Sequence, residues 1–169
     1  MGWDFRSLQE EQRPWVLKNF GERPAWHPLL GIIEEIGELH EAVAGEDHEE
    51  ERDAIADIVI FMSDFCSAMG FDLQNLWEAA RSANITFSCS DWNVITGKLA
   101  AGYLKKTQGI RGSASLHDAR MKSALLDILT LLYVYTDEAG WNLMEMVQGT
   151  WNKVKQRDWT KNTQTGAVP

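Results

Sequence analysis

The sequence predicts an all-α protein built from two similar helical halves. Apolar residues recur at helical spacing along nearly the whole chain, and no alternating run rich in Val, Ile and Thr indicates a strand. With 169 residues, of which 44% are hydrophobic, the chain can bury a sizeable core as one domain or as two small packed halves. We therefore expect a tandem helical bundle whose two repeats pack as a pseudo-dimer.

Periodicity and end signals place seven helices in chain order. The expected ranges are 7–20, 28–44, 48–69, 73–84, 92–107, 115–138 and 143–157. Proline suits a first helical turn, Asp and Asn suit N-caps, and glycine suits the residue after a helix. The expected starts are marked by Pro28, Asp72 and Asn142, and the expected ends by Gly45, Gly70 and Gly140.

The two halves resemble each other in sequence. Residues 57–73 align without a gap with residues 127–143, and upstream residues 34–43 align with 94–103. The offset changes from 70 to 60, so the second half has about ten extra residues between these helices. We predict a duplication, with repeats at 1–86 and 87–160 and a flexible tail at 161–169.

Net charge and composition limit which partners the chain is expected to bind. The chain has 16 Lys and Arg against 25 Asp and Glu, a formal net charge of −9, which argues against binding a nucleic-acid polymer. A single nucleotide whose phosphates are carried by metal is not excluded. The first residues lack the features of a signal peptide and no apolar run is long enough to span a bilayer, so we expect a cytoplasmic protein. Cys66 and Cys89 are expected as small buried hydrophobes rather than as a disulfide.

Acidic residues crowd one face of the second helix. At about 100° per residue, Glu34, Glu35, Glu38 and Glu41 fall within an arc of roughly 120°. A solvated face of an amphipathic helix is the ordinary interpretation of such a pattern. Because like charges four residues apart repel, as Glu34 and Glu38 would, the density of acids favours a bound cation.

The third helix adds a carboxylate in apolar surroundings. Residues 54–62 are apolar on all sides except at Asp57, so the helix should be central and Asp57 at least partly buried. Burying an ionised carboxylate without partners costs several kcal/mol. Asp53 lies one turn earlier on the same face. Together with Glu34, Glu35 and Glu38 these acids predict an oxygen-only site that suits Mg²⁺, with Mn²⁺ as the alternative.

One comparison within the chain argues against a metal role for Asp57. Asp127 occupies the matching place in the second half, where Val94, Ile95 and Lys98 stand opposite Glu34, Glu35 and Glu38. An aspartate can therefore be kept at this place without a metal site.

The acidic helices resemble those of the MazG family of all-α nucleoside triphosphate pyrophosphohydrolases. The family pattern is Glu-x-x-Glu on one helix, here Glu35 and Glu38, and Glu-x-x-Asp on the next, here ending at Asp57. The chain departs from the pattern at Ala54, where glutamate is expected, and Asp53 is the candidate replacement. The segment from Trp15 through Asn19 and Phe20 into residues 28–31 also resembles small MazG-like enzymes, as do residues 105–112 and 151–159.

This resemblance implies a division of labour and a reaction. The first repeat would hold Mg²⁺, while the second would supply cations and rings that close the site. Water would attack the α-phosphorus of a nucleoside triphosphate and release pyrophosphate. Glu34 and Glu38 would be the catalytic carboxylates. Glu34 would either bind a second metal or accept the proton of the water. The substrate-binding candidates are Trp15, Asn19, Phe20, Lys106, Arg111, Lys155, Arg157 and Trp159.

The resemblance also predicts how the chain assembles, and two other functions are alternatives to the hydrolase. Small MazG-like proteins form dimers, so we expect a homodimer of this chain.

An inactive helical protein-interaction module derived from such an enzyme is the alternative, and it predicts no divalent-metal binding. A di-iron bundle requires Glu-x-x-His, but the residues three positions before the four histidines are Pro24, Gly37, Gly45 and Ala114.

Overall fold

The computed structural model describes residues 2–83 and 92–167, and across these ranges it contains helices and turns but no strand. The all-α prediction is confirmed. The seven helices of the described ranges are α1 (Phe5–Phe20), α2 (Trp26–Gly45), α3 (His48–Met69), α4 (Leu73–Ser82), α5 (Trp92–Gln108), α6 (Ala114–Glu138) and α7 (Leu143–Val154). Every observed end lies within three residues of its predicted position.

The chain divides into two compact units whose limits differ from those of the predicted repeats. The first unit comprises Met1–Leu73 and Asn142–Pro169, and the second comprises Gln74–Trp141. The sequence similarity groups α7 with the second repeat, whereas its contacts group it with the N-terminal helices. The predicted repeat boundary after residue 86 lies outside the described residues, as do Cys89, Ser90 and Asp91. The duplication stays a prediction.

Helix α3 is the centre of the first unit. It packs against α1, α2 and α7, and residues 54–56 and 58–60 on it are buried, as are Met62 and Cys66. The Asp47 side chain caps it by accepting hydrogen bonds from the backbone N–H groups of Glu49 and Glu50, and Gly70 ends it in the left-handed conformation, at φ 70°. The expectation of a central apolar helix is confirmed.

Helix α2 lies close against α3. A side chain at Gly31 would overlap the ring of Phe61, so glycine is what lets this ring lie against the α2 backbone. Pro28 stands in the first turn, as expected. The expected end at Gly45 is one residue too early, because the helix continues through Gly45 and Glu46 takes the left-handed conformation at φ 55°.

Helices α1 and α7 complete the first unit. The Gln9 side chain of α1 accepts a hydrogen bond from the Leu73 N–H at 2.7 Å, while the cap role expected of Asp72 stays a prediction. Asn142 caps α7 as predicted, accepting from the Glu145 N–H. The helix ends at Val154, three residues before the expected end, so residues 155–157 belong to the turn that follows it.

The residues after α7 fold back on themselves. The Asp158 N–H donates to the Gly166 carbonyl at 2.7 Å, and the Gly166 N–H donates to the Asn162 carbonyl at 2.8 Å. Gly166 is buried at φ 66° against the Arg157 Cβ and the Trp159 ring. The segment 161–167, expected as part of a flexible tail, is thus held in hydrogen-bonded turns.

In the second unit, α5 and α6 pack against each other through Ile95, Leu99, Met121 and Leu125. Ser113 caps α6 by accepting from the Leu116 N–H. None of the helices in the described part of the chain combines the length and apolar character that crossing a bilayer requires.

Candidate active site

The first unit encloses a cavity of about 270 Å³. Its lining contains acids, guanidinium groups and aromatic rings from α1, α2 and α3, from the connection between α1 and α2, and from the turn after α7. The acids are Glu35, Asp57 and Asp64; the guanidinium groups belong to Arg23 and Arg157; the rings are those of Trp15, Phe20, Phe61 and Trp159. Gln12, Val16, Ile60 and Val154 complete the lining.

Glu35 of α2 and Asp57 of α3 meet at this cavity. The pKa of Glu35 is raised to about 8 by burial, which is the largest cause, together with the charge of Asp57 and those of Glu38, Glu34 and Asp53. Burial likewise raises the pKa of Asp57 to about 6, helped by the charge of Asp53 and opposed by that of Arg157. The two acidic helices therefore face each other, and their carboxylates interact as one cluster.

The cluster has an inner and an outer part. Glu35 and Asp57 are partly buried in the cavity wall, whereas Glu34, Glu38 and Asp53 are exposed. Within the described ranges, no three His, Cys, Asp or Glu side chains converge into a ready-made metal-binding group. The donor set nevertheless fits a hard divalent cation, because it is all carboxylate and its inner members are partly desolvated beside like charges.

The position at which the chain departs from the MazG pattern lies in the core. Ala54 is only 4% exposed, so a longer charged side chain there would enter apolar packing. Asp53 is exposed, and of the charges that affect the pKa of Asp57 its charge has the largest influence. The structure thus places Asp53 beside the cluster.

Aromatic rings form a further part of the lining. Trp15 stands edge-on to Phe20, with ring centroids 5.7 Å apart, and its indole N–H donates to the Arg157 carbonyl at 3.1 Å. Asn19 is not in the lining. Its Oδ1 accepts from the Trp159 N–H at 2.7 Å and its Nδ2 donates to the Trp15 carbonyl at 2.9 Å. Asn19 therefore positions the two tryptophans.

The predicted phosphate-binding cations are dispersed. Arg157 lines the cavity, and its guanidinium carbon lies 5.9 Å from the centre of the Trp159 ring. The Lys155 ammonium lies 3.0 Å from Glu11, away from the lining residues. Lys106 and Arg111 belong to the second unit, where Lys106 pairs with Asp118 at 2.6 Å and Arg111 is exposed in a loop at φ 58°.

The sequence analysis missed Gln12 and Arg23. The amide nitrogen of Gln12 donates to the Ile60 carbonyl at 2.9 Å, and its buried Oε1 at the cavity has no hydrogen-bond partner among the described residues. The Arg23 guanidinium pairs with Asp64 and lies 4.6 Å from the centre of the Phe20 ring, and its Nε is also buried without a partner. The helical spacing of Phe5, Leu8, Gln12 and Val16 predicts a buried glutamine, whereas Arg23 lies between helices and gives no such signal.

Comparison with known proteins supports the part of this arrangement that contains the acidic helices. Residues 7–84 match the family model of phosphoribosyl-ATP pyrophosphohydrolase. Searches of curated proteins and of solved structures give no match. The matched segment contains the acidic helices α2 and α3 and most of α1, and it stops before α5. The first part of the chain is thus similar to an all-α nucleotide pyrophosphohydrolase, which supports that class of activity in general.

Proposed function

We propose that this protein hydrolyses nucleoside triphosphates to the monophosphate and pyrophosphate with the help of a divalent metal ion. One observation carries the proposal: a single cavity is lined by acids of two helices together with aromatic rings and guanidinium groups. A nucleotide needs both kinds of surface, because its base stacks on rings and its phosphates require positive charge.

The cavity suits the nucleoside part of the substrate. Its volume of about 270 Å³ is slightly below the roughly 300–1,000 Å³ typical of small-molecule sites. The rings of Trp15, Phe20 and Trp159 would stack on the base. The unpartnered Oε1 of Gln12 would accept a hydrogen bond from it, and the Nε of Arg23 would donate one. The phosphates would then lie toward the exposed acids.

The metal ligands of this proposal are Glu35, Glu38 and Asp57, with Asp53 in place of the missing glutamate. When bound, Mg²⁺ would neutralise phosphate charge and offset the charge on the leaving pyrophosphate. Glu34, exposed beside the cluster, would accept the proton of the attacking water as its oxygen bonds to the α-phosphorus and the bond to the bridging oxygen breaks. Arg157 would donate hydrogen bonds to phosphate oxygens.

A matched pair of glutamate variants tests the proposal. Pyrophosphate release is measured over canonical and modified nucleoside triphosphates, with Mg²⁺ or Mn²⁺. Glu38→Gln should lower turnover roughly 100-fold or more, because a metal ligand is lost. Glu41→Gln changes an exposed acid one turn later on α2 and should leave turnover within about twofold. No release from the unmodified protein over the whole panel, with no divalent-metal binding, would favour the interaction module instead.

We also propose that two chains form a homodimer. One face of α2 exposes Trp26, Leu30 and Ile33, with Leu30 at 55% exposure, and their spacing of four and three residues forms one stripe. Light scattering after size exclusion should give twice the chain mass, and Leu30→Glu should give the single-chain mass. A single-chain mass for the unmodified protein would refute the dimer.

A further inference from the structure

The second unit has a cationic cleft of about 420 Å³ that the proposed reaction does not use. Helix α5 contributes Lys98, Ala101, Gly102 and Lys105, and α6 contributes Arg120 and Ser123. None of its lining residues within the described ranges is an acid, although the chain as a whole carries a net charge of −9. We call these six residues the cationic cleft.

The three cations of the cleft are available to a ligand. None of Lys98, Lys105 and Arg120 forms an ion pair with a residue that the structure describes, whereas the adjacent Lys106 is paired with Asp118. Three like charges around one concave surface repel each other, and an anion between them relieves that repulsion.

The shape of the cleft favours an elongated anion. Lys98 and Lys105 lie seven residues apart on one face of α5, which corresponds to about 10.5 Å along the helix. At Gly102 the two helices approach closely, since a Cβ there would lie 2.7 Å from the Met121 Cγ. The cations are thus spread along a cleft with a floor of small residues, which suits a chain of phosphates better than a single one.

The alignment of the two halves gives an independent reason. With the offsets of 60 and 70, Lys98 corresponds to Glu38 and Arg120 to Glu50. The core positions beside them keep their burial in both units, with Leu99 matching Leu39 and Leu125 matching Ile55. Two of the three cleft cations thus stand where the first unit has an acid, while Lys105 corresponds to Gly45.

We propose that the cationic cleft binds the diphosphate or triphosphate group of a small anion without a divalent metal ion. Lysine and arginine donate charge-assisted hydrogen bonds to phosphate oxygens directly, whereas the acids of the first unit would repel such a ligand unless metal is present. The group belongs either to inorganic pyrophosphate and tripolyphosphate or to a nucleotide.

Calorimetric titration of the full chain in EDTA tests the proposal. Pyrophosphate, tripolyphosphate, ATP, inorganic phosphate and a short RNA oligonucleotide are titrated separately at low salt. We expect saturable binding of at least one multi-phosphate ligand, at least tenfold tighter than that of phosphate, and weakening as salt is added. Lys98→Gln combined with Arg120→Gln should weaken it at least tenfold. Lys122→Gln, which removes one positive charge from α6 outside the cleft lining, should leave affinity within about twofold.

The titrations separate the possible sources of the ligand. Binding of tripolyphosphate and pyrophosphate as tight as that of ATP supports a site for the inorganic anions, and tighter binding of ATP supports a nucleotide site. Binding that appears only with Mg²⁺, equal affinity for phosphate, or full retention by the Lys98→Gln, Arg120→Gln double variant overturns the proposal. A stronger preference for an RNA oligonucleotide would also overturn it. Unchanged thermal unfolding of the double variant excludes misfolding as the cause.

Discussion

The helix pair α2–α3 and the helix pair α5–α6 have similar buried apolar positions but differ in the charged groups around them. Both pack through buried apolar positions that correspond in sequence, and both keep an aspartate at the same place, Asp57 in the first pair and Asp127 in the second. Around Asp57 stand further acids and a ring-lined cavity, whereas Lys98 influences Asp127. The apolar positions specify the packing, and under our proposals a few positions outside the core decide which ion each pair binds.

The two aspartates provide the strongest test of this difference. Asp57→Asn keeps the shape of the side chain and removes the charge that a divalent ion requires, so turnover should fall roughly 100-fold or more. Asp127→Asn makes the same change in the second unit and should leave turnover within about twofold. Steady-state pyrophosphate release from both variants gives the comparison. Equal losses would show that the two helix pairs are functionally alike.

A second test concerns Gln12, which has an unpartnered acceptor in the cavity. Gln12→Met keeps the length of the side chain but removes that acceptor, so KM should rise about tenfold and kcat should change little. Discrimination between bases should weaken as well, because the polar contact to the base is lost. The bond to the Ile60 carbonyl is also lost, so thermal unfolding is measured alongside the kinetics. A large fall in kcat with unchanged KM would contradict a role in base recognition.

A third test uses the pH dependence of stability without metal. The pKa of Glu35 is raised from 4.5 to about 8 in the folded state, so between these values the folded state holds a proton that the unfolded state has released. The free energy of unfolding should therefore fall as pH rises through this window. In EDTA, Glu35→Gln should have a melting temperature a few degrees above that of the unmodified protein at pH 8 and a smaller difference near pH 5.

Magnesium should reverse this order for the unmodified protein at pH 8, because a bound ion stabilises the folded state. Glu41→Gln is the matched control and should follow the unmodified protein at every pH. If the stability of the unmodified protein relative to that of Glu35→Gln increased from pH 5 to pH 8, this would contradict the raised pKa of Glu35.

The sequence predicts the helices and the core better than it predicts the cavity. Helical periodicity and the caps set the helix ends closely, and the isolated polar position of Asp57 in an apolar helix predicted its burial. Arg23 and Trp159 reach the cavity through connections whose backbone has no repeating pattern. The contribution of α7 to the first unit depends on contacts between residues about 140 positions apart, such as Trp151 with Glu11. Local patterns carry no information about such pairs.

The C-terminal turns include residues 161–167, which the sequence predicts as part of a flexible tail, and they give the last and smallest predicted effect. Gly166 has φ 66°, and a Cβ there would lie 2.9 Å from the Arg157 Cβ. Gly166→Ala should therefore destabilise the turn by about 1 kcal/mol and loosen the wall formed by Arg157 and Trp159. KM should rise two- to threefold, about half a kcal/mol in binding, with kcat unchanged.

Gly149→Ala, in α7 where an added Cβ meets no atom within 4 Å, is the control and should leave KM unchanged. Because the residues matched by the family model end at 84, an effect confined to Gly166→Ala would show that substrate affinity depends on residues beyond the part resembling known enzymes. If both variants behaved like the unmodified protein, the rings of Trp15 and Phe20 would suffice to hold the base.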